Sequence, residues 1–183
     1  MNMTVEEKKY TVSSRGNAVA RAYLLYPCFA GEEKINAFYA QIAENLRTFF
    51  EETAEKYREQ YENMGRVERR LFEPLCVRLF SSAEYVDEDI FSVSMEYVMS
   101  EGKNVLFYRK LCQVWKRKEE VLLPAKKLFP RRARAKAEKN EFYFDGERAV
   151  IVENLFPESA GGEGRRPRLC DYIREIVYEV KKT

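Results

Sequence analysis

The chain has 183 residues, 45% hydrophobic and 14% aromatic, enough apolar surface for a packed core and unlike the composition of a disordered chain. Lys and Arg number 32 against 30 Asp and Glu, and a net charge of +2 argues against a chain whose main work is gripping a nucleic-acid backbone or an anionic membrane. Histidine is absent, which removes His-based triads, His-ligated metals and the usual general acid–base side chain at neutral pH.

Residues 1–16 read as a polar N-terminal extension ending in the turn signal Ser13-Ser14-Arg15-Gly16, with Thr11 and Val12 in a first short strand. The apolar run from Ala18 to Tyr26, bounded by Gly16 and Pro27, predicts a buried strand. Ile35, Phe38, Tyr39, Ile42, Leu46, Phe49, Phe50 and Tyr57 then recur at spacings of three and four, the apolar stripe of a long helix over about 32–62. Glu32 and Glu33 favour its first turn and Asn63-Met64-Gly65 ends it.

Leu75, Val77, Leu79, Ala83 and Tyr85 alternate as a strand. Phe91, Val93, Met95, Tyr97 and Met99 alternate against Ser92, Ser94, Glu96 and Ser100. With the turn Glu101-Gly102-Lys103-Asn104 and the segment Val105 to Trp115, they predict an antiparallel hairpin over 90–116 with one solvated face. A short helix runs from Pro124 through Phe129, followed by a charged, alanine-rich stretch over 131–140. Phe142-Tyr143-Phe144, Asp145-Gly146 and Ala149 to Val152 predict a second hairpin, and 161–167 a flexible loop. Leu169, Tyr172, Ile173, Ile176, Val177 and Val180 fit a terminal helix, although Ile176–Val180 is β-branched enough for a strand. The sum is α+β: an antiparallel β-sheet with one long helix packed on one face, plus short helices.

Cys28, Cys76, Cys112 and Cys170 are scattered with no C-x-x-C pair, and read as buried free thiols, with one or two long-range disulfides the alternative if the protein is exported. Asp87, Glu88 and Asp89 read as a solvated turn, because adjacent strand residues point to opposite faces. The serines lack a nucleophile-elbow context, and Gly161-Gly162-Glu163-Gly164 lacks the Lys-Ser/Thr of a phosphate loop. These residues assign no catalytic side chain, metal ligand or cofactor. Charge is asymmetric: residues 1–100 carry 12 basic and 17 acidic residues, and 101–183 carry 20 and 13. Arg131, Arg132, Arg134, Lys136 and Lys139 concentrate the excess in one segment, a possible partner-binding site.

The order of elements is similar to that of a known family. Leu24-Leu25-Tyr26-Pro27-Cys28-Phe29-Ala30-Gly31 followed by Lys34-Ile35-Asn36 resembles the start of the DUF3298 family, the domain found in RsiV-type anti-sigma factors. Phe91 to Met99, Glu119 to Phe129, and Phe142-Tyr143-Phe144-Asp145-Gly146 to Val152 resemble its later strand, strand–short-helix and hairpin pieces, in order. The turn Glu101-Gly102-Lys103-Asn104 stands where the family often has Gly-Gly-Ala-His-Gly. The resemblance spans 17 to about 178 and implies a single domain over 1–183, with its core at about 17–180.

The resemblance further implies a non-catalytic binding or sensor-type domain whose ligand is a protein or a cell-envelope component. The alternative is a cytoplasmic module that binds nucleic acid or an acidic partner through 131–139, with nucleic acid the weaker choice on net charge. An enzyme working with carboxylates alone comes third. No apolar stretch reaches membrane-spanning length and the N-terminus lacks a signal-peptide core, so the chain as written reads as cytoplasmic, or as extracytoplasmic if it is a fragment of a longer chain.

Overall fold

The computed structural model describes residues 3–155 and 171–180. Two sheets stack through the core. The first has six strands in chain order: β1 (Met3–Ser14), β2 (Asn17–Phe29), β3 (Leu75–Val86), β4 (Ile90–Glu101), β5 (Asn104–Lys116) and β6 (Val121–Leu122). The second has β7 (Glu141–Phe144), β8 (Arg148–Asn154) and β9 (Ile173–Glu179). The long helix α1 (Glu33–Asn63) joins β2 to β3, which are parallel; every other pairing is antiparallel. The short helices include α2 (Arg66–Arg70) and α3 (Arg131–Ala137), with a 3₁₀ turn at Ala125–Lys127. The fold is α+β, as the sequence predicts.

The N-terminal segment departs from that reading. Met3–Ser14 is not an extension but a full strand, paired with β2 from Met3↔Phe29 to Ser14↔Asn17. It crosses into β2 through Arg15 and Gly16, both at positive φ (51° and 81°), the backbone of a tight hairpin turn. β1 is an edge strand, so Met3, Lys8, Tyr10 and Val12 turn only partly inward, Ser14 alone is buried, and most of the remaining positions are polar and exposed. Pro27 does not end β2 either. β3 pairs with β2 only from Ala20 to Leu24, so beyond Leu24 a missing N–H on that side costs no ladder bond.

α1 begins where predicted, and its first turn is tied to β2. The Asn36 amide accepts from the Phe29 N–H (2.8 Å) and donates to the Phe29 carbonyl (2.7 Å). The buried stripe is Ile35, Tyr39, Ala43, Phe50, Ala54 and Tyr61, against Leu24, Val77, Leu79, Met95 and Trp115. Phe49 lies off this stripe and is 43% exposed, which corrects its place in the predicted core.

The hairpin β4–β5 forms with its predicted turn, but neither face of β4 is solvated. Ser92, Ser94 and Ser100 are buried, and the second sheet, with the 3₁₀ turn and α3, packs over this side of β4 beside Ser92. The Phe144 N–H donates to Ser92 Oγ at 3.0 Å across the seam. A second core of Val114, Phe129, Ala133, Ala137, Phe144 and Ile151 fills this layer. The hairpin β7–β8 follows its Asp-Gly turn. The C-terminal segment takes the strand alternative: β9 pairs with β8 from Asn154↔Ile173 to Arg148↔Glu179, because the free edge of β8 offers backbone partners that an isolated helix lacks. The loop predicted at 161–167 and Cys170 lie outside the described residues. Among the described residues, no helix is long and apolar enough to cross a membrane.

Candidate functional site

The five cations singled out in the sequence do not converge. α3 turns Ala133 and Ala137 into the second core and spreads its cations around the remaining surface. Arg134 Nε donates to the Phe129 carbonyl at 3.0 Å, and Lys136 Nζ lies 2.8 Å from Glu153. Arg131 and Arg132 point into solvent, and Lys139, just past the helix, borders a cleft. The segment is therefore less exposed than its composition suggests, and two of its charges serve the fold.

The unexpected chemistry lies in the seam between the sheets, on β5. Period-two alternation sends Lys110, Cys112 and Val114 toward the second sheet. Lys110 is only 8% exposed. Its Nζ is 3.0 Å from Glu175 on β9, 3.9 Å from Glu84 on β3, and 4.6 Å from the centre of the Tyr143 ring on β7. Burial alone would lower the Lys110 pKa, but the hydrogen bond and charge of Glu175, with weaker help from Cys112 and Glu84, outweigh it and raise the value. Glu84 also accepts from the hydroxyls of Ser94 and Ser82. Burial pushes the Tyr143 hydroxyl up to about 12 and the Cys112 thiol well above its usual range, so at neutral pH Cys112 is a thiol and a poor nucleophile. Among the described residues, no group of three or more Cys, Asp and Glu side chains is placed to hold a metal ion.

Beside this cluster the seam opens into a cleft of about 430 Å³ at the edge of β5. Tyr108, Arg109, Lys139, Asn140, Asn154 and Tyr172 line it. Glu141 closes one end, accepting from the Cys112 N–H (3.0 Å) and, at 3.4 Å, from Arg109. Asn154 closes another, its Oδ1 accepting from the Lys110 N–H (2.7 Å) and its Nδ2 donating to the Lys110 carbonyl (2.9 Å). The Tyr172 hydroxyl donates to the Val105 carbonyl at 3.1 Å and its ring packs 6.1 Å from that of Tyr108. The lining combines aromatic faces, amides and two cations, which suits recognition by packing and hydrogen bonds.

Sequence reasoning missed this site. Of its residues only Lys139 was singled out. The available signal was a lysine between inward-facing positions of a predicted strand, which on a half-solvated sheet reads as a surface charge.

No family model and no curated protein matches the chain. Among solved structures, a member of the DUF3298 family from Bacteroides fragilis superposes with a TM-score of 0.63 at 11% identity, covering 97% of this chain and 90% of that one. A DUF3298 family protein from Pseudomonas aeruginosa gives a TM-score of 0.47 at 10% identity, covering 75% of this chain and 62% of that one. The chain has a DUF3298-like fold.

Proposed function

We propose that the chain acts as a single non-catalytic binding domain of sensor type, whose ligand, a protein or a cell-envelope component, seats in the cleft at the edge of β5. The observation that supports this reading is the cleft itself: a concave site at the junction of two sheets, with aromatic walls and convergent amides. The ionisable groups beside it are held in pairs, Lys110 with Glu175 and Arg109 with Glu141, an arrangement that builds a wall rather than an acid–base relay. A second reading, an acidic partner or nucleic acid held by 131–139, draws support from the exposure of Arg131 and Arg132.

The test is an NMR titration of the ¹⁵N-labelled full chain with benzoate, phenol, acetamide and N-acetylglucosamine. Saturable shifts at the side-chain amides of Asn140 and Asn154, with the Arg131 and Arg132 amides unmoved, are the expected result. Shifts confined to other surfaces would overturn the cleft reading.

A further inference from the structure

β5 pairs with β4 along its length but with β6 only at Trp115 and Lys116. From there toward its N-terminal end, its other edge has no strand partner among the described residues. Several of the exposed backbone groups are instead satisfied one at a time, by a neighbouring turn or by side chains. The Val114 carbonyl accepts from the Leu123 N–H at 2.7 Å. The Cys112 N–H is taken by Glu141, and the Lys110 N–H and carbonyl by Asn154. Residues two apart in a strand send their backbone groups to the same edge. The next pair is therefore the N–H and carbonyl of Tyr108, and these have no partner among the described residues. Tyr108 lines the cleft. Past it, Tyr172 closes the Val105 carbonyl, and a bulge at Met99/Ser100 breaks the ladder.

We propose that the cleft takes an extended peptide segment of another protein, which adds a short strand to β5 at Tyr108. This rests on the cleft reading above and names its occupant. A donor and an acceptor in strand spacing, left open between two positions that side chains close, match a peptide backbone better than a sugar or a small acid. A strand laid there sends alternate side chains to the two walls, toward Phe107 and Arg109 on one side and Tyr172 on the other. Proteins usually blunt such edges, and this one does so at the Val114 carbonyl, the Cys112 N–H and both backbone groups of Lys110.

The experiment uses the full chain and a displayed library of random heptapeptides, from which enriched sequences are synthesised and titrated into ¹⁵N-labelled protein. Binding is expected to shift the Tyr108 amide and slow its hydrogen exchange by about tenfold or more. An ester at Tyr108, made by inserting the α-hydroxy acid of tyrosine, removes that N–H, with some weakening of the Phe107 carbonyl as an acceptor, and is expected to weaken binding about tenfold. If the ester variant fails to fold, the exchange measurement on the unaltered chain decides alone. Three results overturn the proposal: no enriched peptide, peptide shifts away from the cleft, or a Tyr108 amide already protected in the free chain, which would mean the chain itself or a second copy fills the edge. Small probes shifting Asn140 and Asn154 without peptide binding would sink the peptide and leave the cleft reading; neither shifting would sink both.

Discussion

Trp115 on β5 donates its indole N–H to the hydroxyl of Tyr39 on α1 at 2.8 Å, inside the core where Tyr39 has no exposed surface. The bond joins the sole tryptophan to the long helix through a pair with no solvent to replace either partner. Burial drives the Tyr39 hydroxyl pKa far up, so it stays protonated across the range in which the protein is handled. Tyr39→Phe leaves the indole N–H buried and unpaired. The expected cost is about 1–3 kcal/mol. Urea melts followed by tryptophan fluorescence measure it, and an unchanged midpoint would mean that water reaches the indole.

The neighbouring phenylalanines on α1 separate core from surface. Phe50 is fully buried between Tyr10 and the sheet, while Phe49 is 43% exposed. Phe50→Ala should cost about 3–5 kcal/mol, the usual penalty for removing a buried ring. Phe49→Ala should cost well under half of that, because 43% of its surface already faces water. Equal losses in parallel denaturant melts would show that the helix is rotated about its axis.

What could be read from the sequence was what its local pattern determines. α1 and the hairpins β4–β5 and β7–β8 each carry their own periodicity and turn residues, and each forms as predicted. β1 escaped because an edge strand needs few apolar positions: Glu6, Glu7, Lys8 and Lys9 look like a solvated tail until β2 supplies the backbone partners. β9 has a helical spacing of apolar residues that an available strand edge overrides. The seam was hidden for the same reason. Lys110 looks solvated on β5 alone, and only the second sheet, contributed from over 30 residues later in the chain, buries it.

Lys110 offers a pH test with a definite sign. Its pKa in the folded chain is raised above 10.5, so its stabilising effect is fully present below that value and is lost as pH rises through the folded pKa. Tyr143, pushed up to about 12, acts in the same direction, since unfolding lets it ionise at its ordinary value near 10. Stability should therefore fall on the alkaline side, from about pH 10 upward. Lys110→Met should destabilise by about 1–3 kcal/mol at pH 7, less than for a fully buried pair because the Glu175 side chain is 36% exposed and can be rehydrated. The gap between variant and wild type should narrow above pH 10.5. Chemical melts at pH 7, 9, 10.5 and 11.5 check both statements, and a gap that widens with pH would contradict the pairing.

Cys28, Cys76 and Cys112 are free thiols, and they differ in access. Cys28 and Cys76 are half-buried at strand positions near the surface, whereas Cys112 is buried in the seam with its thiol pKa pushed up. In the native protein at pH 8, Cys112 should react with Ellman's reagent far more slowly than Cys28 and Cys76, through openings that expose the seam. Cys112→Ser should remove that slow phase. Alkylation of unreduced protein under denaturing conditions should label four cysteines in all, and a mass gain of fewer would reveal a disulfide.

The basic segment decides between the two functional readings. Arg134 and Lys136 are engaged within the fold, so Arg131, Arg132 and Lys139 are the charges left to meet a polyanion. Glu138 and Glu141 lie beside Lys139 at the cleft and dilute it further. Ala133 and Ala137 face the core, and α3 itself carries no aromatic residue between its cations to stack a base. Each free cation contributes mainly counterion release, and three contribute little at physiological salt. Binding to single-stranded RNA or DNA should accordingly be no tighter than the non-specific range of about 10⁻⁴ to 10⁻⁶ M at physiological salt. Changing Arg131, Arg132 and Lys139 together to Gln should leave the melting temperature nearly unchanged, since exposed substitutions shift stability by about 0.5 kcal/mol or less. A salt titration of fluorescently labelled oligonucleotide binding, run with wild type and the triple variant, measures both affinity and slope. Submicromolar binding at physiological salt that vanishes in the triple variant would reverse the order of the readings and make α3, not the cleft at β5, the working surface of the protein.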